Sequence, residues 1–187
     1  MNPIQRHTLA VLVDNESGVL SRVVRLFSGK GYNIESLAVG TTDDPAIARI
    51  TIEVMADDQQ INLLSNQLRK LICVHSVKAL RPEHAIRREL VLIKVLASES
   101  ERRNEVIQIA NIFRASIIDV SKASLTLALI GDESKAAAFQ NLLTEFGILE
   151  LVRTGMVALE RGQYTIDEQT KEKGEFDYGK NVLREGL

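Results

Sequence analysis

Aromatic residues are scarce: they make up 4% of the 187 residues and none is tryptophan, so the core has to be built from Val, Ile, Leu and Ala. That supply suits a sheet covered by helices better than an aromatic-anchored sandwich. A single cysteine, Cys73, excludes an intrachain disulfide and a thiolate metal cluster, and its neighbours Leu71, Ile72 and Val74 point to simple burial. No apolar run reaches the roughly 18 residues that span a bilayer. The stretch Met1 to Arg6 is polar with no signal-peptide core behind it, so a cytoplasmic protein with no membrane partner is expected. Neither sign of charge is in surplus. Residues 1–80 carry eight Lys or Arg against eight Asp or Glu, residues 81–163 carry eleven against eleven, and the whole chain sums to −2. Without a basic excess there is no footprint for phosphates, and no nucleic-acid partner is expected. Catalytic constellations are missing too. His7, His75 and His84 have no ligand-like spacing and read as surface or strand-end histidines; there is no G-x-S-x-G, and Gly29-Lys30-Gly31 closes a helix rather than cradling phosphate. The sequence is expected to hold no catalytic residue, no metal site and no cofactor of its own.

What is present is a globular composition, 45% hydrophobic and 26% charged, enough to bury a core. His7 to Val13 has strand length and stops at the turn cluster Asp14-Asn15-Glu16-Ser17-Gly18. Val19, Leu20, Val23, Val24 and Phe27 then recur at helical spacing up to Gly29-Lys30-Gly31. Ile34 to Gly40 reads as a strand, followed by the turn Thr41 to Pro45. In Ala46 to Val54, Ala48, Ile50, Ile52 and Val54 alternate with Arg49, Thr51 and Glu53, the period of a half-buried strand with one face outward. Asp57-Asp58 caps a helix striped by Ile61, Leu64, Leu68 and Leu71, and Val74 to Leu80 is a fourth strand.

The order βαββαβ repeats after Pro82: strand Leu90 to Ala97, helix Glu101 to Phe113, strands Ile117 to Val120 and Leu125 to Ile130, helix Glu133 to Phe146, strand Ile148 to Leu159. The expected class is therefore α+β, two tandem ferredoxin-like βαββαβ domains at residues 4–81 and 82–162, each a four-stranded antiparallel sheet with two helices on one face. Leu9 to Val13 and most of Leu90 to Val95 are apolar on both faces, so something beyond the helices covers or extends these strands. From residue 163 to 187 ten residues are charged and the apolar period is lost, which marks a tail, either disordered or docked through Phe176, Tyr178, Val182 and Leu183.

The turn at Asp14 to Gly18 sets polar side chains and free backbone N–H groups at the mouth of a helix, a place that attracts a carboxylate. An ordinary capped helix start explains the same residues, as an ordinary turn explains Asn33 at the entry of the next strand. In a βαββαβ fold these two places lie at opposite ends of the helix. One copy does not easily bring Asn15 and Asn33 to one ligand, whereas two copies paired edge to edge do.

The run from Asp14 to Val54, DNESGVLSRVVRLFSGKGYNIESLAVGTTDDPAIARITIEV, closely resembles the N-terminal ACT domain of the regulatory small subunit of acetohydroxyacid synthase, also called acetolactate synthase. RELVLIKV from Arg88, FRASIIDVS from Phe113 and RTGMVALERG from Arg153 resemble the ACT-like C-terminal domain of that family. The resemblance implies a non-catalytic regulatory subunit of branched-chain amino-acid biosynthesis. It implies a homodimer that binds the large catalytic subunit, which carries thiamine diphosphate, Mg and FAD, raises its activity and confers feedback inhibition by valine, or by leucine or isoleucine. It further implies an effector pocket between paired ACT domains, at Asn15, Gly18, Val19, Leu20, Asn33 and Ile34. The amides would take the ammonium and Val19, Leu20 and Ile34 the branched side chain. The C-terminal copy is expected to lack such a site, because its turn from Ser98 to Arg103 has no glycine.

A free-standing tandem ACT regulator of transcription is the alternative reading. RNA binding on the same topology fails for want of an exposed aromatic platform, and a small hydrolase for want of a placeable catalytic arginine and asparagine.

Overall fold

The computed structural model describes residues 3–166. They divide into two compact units, residues 3–85 together with 159–166, and Ile86–Ala158. Among the described residues no helix is long and apolar enough to cross a membrane.

The first unit runs β1 (Gln5–Asp14), α1 (Val19–Gly29), β2 (Ile34–Thr41), β3 (Ile47–Ala56), α2 (Asp58–Leu68), β4 (Val74–Leu80). Its four strands lie in the order β2-β3-β1-β4, all antiparallel. β1 and β3 pair without a slip from Gln5↔Ala56 to Asp14↔Ile47, which puts Leu9, Val11 and Val13 level with Ile52, Ile50 and Ala48. These alternate positions share one core with Val19, Val23 and Phe27 of α1 and Ile61, Leu64 and Leu68 of α2. Among the described residues Phe27 is the one aromatic ring fully buried here, so close aliphatic packing carries the unit, as the composition requires.

The other face of this sheet is not the open polar surface that alternation in β3 predicts. Thr51 is 3% and Glu53 2% exposed, and Thr8, Ala10 and Ser76 are buried with them. The polar groups survive burial because they bond to one another: Thr8 Oγ1 donates to Glu53 Oε1 at 3.2 Å, and Arg6 stands 4.0 Å from the same carboxylate. Further cover comes from the chain between Glu160 and Thr165. Lys78 of β4 pairs with Glu160 at 2.7 Å and donates to the Thr165 carbonyl at 3.3 Å. Arg49 is held below the usual guanidinium range by burial, against the pull of Glu160.

The second unit repeats the plan with β5 (Ala85–Leu96), α3 (Ser100–Phe113), β6 (Ser116–Val120), β7 (Ser124–Gly131), α4 (Glu133–Thr144) and β8 (Ile148–Arg153), in the sheet order β6-β7-β5-β8. Its core joins Val91, Ile93 and Val95 to Leu125, Leu127 and Leu129 under Val106, Phe139 and Leu143. Two sequence expectations need correction. β5 begins at Ala85, directly after a turn of 3-10 helix at Pro82–His84, rather than at Leu90. The single strand expected from Ile148 to Leu159 is broken into β8 and β9 (Val157–Glu160), because Gly155 sits at φ 79°, which the pleat does not accommodate. β9 pairs with β5 as well.

Candidate functional site

β1 ends at Asp14, and the next residue is fixed twice: the Asn15 backbone N–H donates to the Ala46 carbonyl at 2.7 Å and its side-chain Nδ2 to the Pro45 carbonyl at 2.8 Å. The β1–α1 turn is thereby tied to the β2–β3 turn. Gly18 closes it at φ 83°, where an L side chain is strained although a Cβ there meets nothing within 4 Å. The requirement for glycine is conformational.

α1 starts without a side-chain cap and without an acid in its first turn. The other three helices differ. Asp57 caps α2 through the Gln60 N–H inside a reciprocal capping box, Asp132 caps α4 through the Lys135 N–H, and α3 carries Glu101 in its first turn. The positive end of α1 is thus left to whatever anion reaches it.

The residues assigned to the pocket divide by location. Asn15, Gly18, Val19 and Leu20 stand at the N-terminal end of α1; Asn33 and Ile34 stand beyond its C-terminal end, after Gly31 at φ 75°. The groups lie at opposite ends of α1, whose eleven residues span about 16 Å, so one copy does not bring them together. Asn33 Nδ2 donates to Glu35 Oε1 at 2.8 Å on the exposed edge, and Ile34 is half-buried against the core. Val19 is 3% exposed and packs in the core, whereas Leu20, at 39%, is the apolar residue the turn leaves outward.

Sequence reasoning missed two partners of this turn. The Asp14 N–H donates to the Cys73 carbonyl at 2.9 Å, and Asp14 Oδ1 lies 2.6 Å from Nε2 of His75 on β4, 61 residues away. His75, at the start of β4 as a strand-end histidine, is therefore also a paired one. In the second unit the corresponding corner is held by Arg103 of α3, one guanidinium nitrogen of which reaches the carbonyls of Ala97, Ser121 and Lys122 at 2.7, 2.7 and 2.8 Å. Among the described residues no group of three or more His, Cys, Asp and Glu is placed to hold a metal.

Comparison with known proteins falls on the same segments. Residues 9–76 match the family described as AHAS small subunit-like ACT domain, and residues 88–162 that described as small subunit of acetolactate synthase. The acetolactate synthase small subunit of Aquifex aeolicus is 45% identical over 160-odd aligned positions that span 90% of this chain and 88% of that protein. The acetolactate synthase small subunit of Mycobacterium bovis is 47% identical across 87% of this chain and 95% of its own. The crystal structure of the acetolactate synthase small subunit from Thermotoga maritima matches with a TM-score of 0.80 at 38% identity, covering 86% of this chain and 100% of that one.

Proposed function

The chain belongs to the acetolactate synthase small-subunit family, and on that footing we propose that it is the cytoplasmic, non-catalytic regulatory partner of the large catalytic subunit. It raises the activity of that subunit and makes it sensitive to valine, with leucine and isoleucine as further effectors. Thiamine diphosphate, Mg and FAD act on the catalytic partner. Residues 4–81 form the effector-binding domain and residues 82–162 its ACT-like companion.

The observation that carries this reading is the N-terminus of α1, which alone among the described α-helices combines a glycine cap with a first turn free of acids and of side-chain caps. Its N–H groups suit an amino-acid carboxylate, Leu20 offers apolar surface, and the Asn15 amide oxygen is available for an ammonium because its nitrogen is engaged with Pro45.

The remaining residues join this site in a homodimer built on β2, the edge strand of its sheet. Antiparallel pairing of two β2 strands sets the start of one against the end of the other. Thr41, at that end, pairs with Ala48 close to the corner where Asn15 binds Ala46, so Asn33 and Ile34 of one copy meet Asn15 and Leu20 of the second.

The test combines the purified chain with an acetolactate synthase large subunit. Higher synthase turnover than the large subunit alone, inhibition by valine, and a dimer by light scattering are expected. No stimulation at saturating chain, or a monomer at micromolar concentration with valine present, contradicts the proposal.

A further inference from the structure

The duplication supplies an internal control for the Asp14–His75 pair. In the first unit the β1–β4 register passes from Leu12↔Ser76 to Val13↔Val74, so His75 is the extra residue of a β-bulge. In the second, β5–β8 passes from Lys94↔Glu150 to Val95↔Ile148, and the extra residue is Leu149. The surrounding backbone bonds correspond as well. Asp14 N–H to Cys73 at 2.9 Å matches Leu96 N–H to Gly147 at 3.0 Å, and Asn15 N–H to Ala46 at 2.7 Å matches Ala97 N–H to Ala123 at 2.7 Å. The places of Asp14 and His75 are thus taken by Leu96 and Leu149, two leucines that are 37% and 57% exposed. A bulge re-aims a side chain. The fold builds this one equally well with no polar pair, so the carboxylate and imidazole of the first unit are not what the bulge needs.

We propose that His75 is a positioning residue for the effector turn, an inference that rests on reading that turn as the effector site. A carboxylate oxygen accepts, so Nε2 of His75 carries the proton and donates to Asp14 Oδ1. The turn is then anchored on both flanks, by His75 from β4 through Asp14 and by Pro45 from the β2–β3 turn through Asn15. Holding the first two residues of the turn fixes the Asn15 amide before the ligand arrives, and affinity gains from the ordering that binding no longer has to supply. His75 touches no ligand; it acts through Asp14.

Full-length protein is titrated with valine by calorimetry, and its thermal unfolding followed, for wild type and two double variants. Asp14→Leu with His75→Leu installs the pair that the second unit already uses; Asp14→Asn with His75→Gln keeps a neutral hydrogen bond. The leucine pair is expected to unfold at the wild-type temperature and to bind valine roughly ten-fold more weakly, and the amide pair to recover most of that loss. Wild-type affinity in the leucine variant overturns the proposal, as does an early unfolding transition, which assigns the pair to the fold, or an amide pair as weak as the leucines. Wild type that binds none of valine, leucine and isoleucine removes the effector site itself and the inference with it, a failure visible before any variant is made.

Discussion

Asn15 and Pro45, 30 residues apart, are joined by a 2.8 Å hydrogen bond from Asn15 Nδ2 to the Pro45 carbonyl. The bond ties one amide N–H to the fold and leaves the amide oxygen for a ligand. Asn15→Ala removes both and is expected to lower stability by about 1 kcal/mol and to weaken valine binding roughly five-fold or more. Asn15→Asp separates the two effects. A carboxylate does not donate to the Pro45 carbonyl but still accepts from an ammonium, so this variant should bind valine more tightly than Asn15→Ala without regaining the wild-type unfolding temperature. Calorimetry and thermal unfolding on the two variants check the order.

In the second unit the same corner is filled by a cation. Arg103 bridges Ala97 with Ser121 and Lys122, and Glu101 occupies the first turn of α3, so an anionic ligand group meets a carboxylate there that the first turn of α1 does not present. One valine per chain is therefore expected by calorimetry, and two independent sites per chain would refute it. Arg103→Met should lower stability by about 1.5–3 kcal/mol, since charged hydrogen bonds to carbonyls are lost, with valine affinity unchanged.

Asp132 gives a pH dependence of definite sign. The backbone N–H of Lys135, followed by the Ser134 hydroxyl, holds its carboxyl below the ordinary aspartate range. A carboxyl with a lowered folded-state value contributes stability above its unfolded value and loses it as pH falls through the folded one. Asp132→Ala should cost about 1 kcal/mol at neutral pH, and the difference from wild type should shrink below about pH 4. A difference that is constant from pH 7 to pH 2.5 would show that the cap is not the cause.

The order βαββαβ was legible twice because the hydrophobic period changes at each boundary, from Leu9, Val11, Val13 to Val19, Val23, Phe27 and back. That spacing already places Val19 in the core, where the structure has it. Other features depend on partners distant in the chain, which local pattern does not carry. Glu53 reads as an outward strand residue until Thr8 and Arg6 are seen beside it. His75 reads as a lone histidine until the bulge turns it to Asp14, and Gly155 as an incident within a strand until its φ of 79° breaks it. The expected tail from residue 163 extends past residue 166, outside the described residues.

The central claim is that the chain regulates through a pocket distinct from whatever surface activates its partner, and Asn33→Ala tests it most directly. Asn33 lies on the exposed edge, bonded only locally to Glu35, so its loss leaves the core intact. Removing one hydrogen-bonding partner of a bound ligand weakens binding by about 1–3 kcal/mol, roughly five- to 150-fold. Feedback is a difference in effector affinity between two states of the complex, so a change confined to the pocket separates inhibition from activation. The measurement is synthase activity against valine concentration at saturating small subunit, for wild type and Asn33→Ala. The account predicts a complex that is still activated and whose inhibition curve is shifted at least five-fold to higher valine. Wild-type valine sensitivity in the variant, or loss of activation together with inhibition, contradicts it.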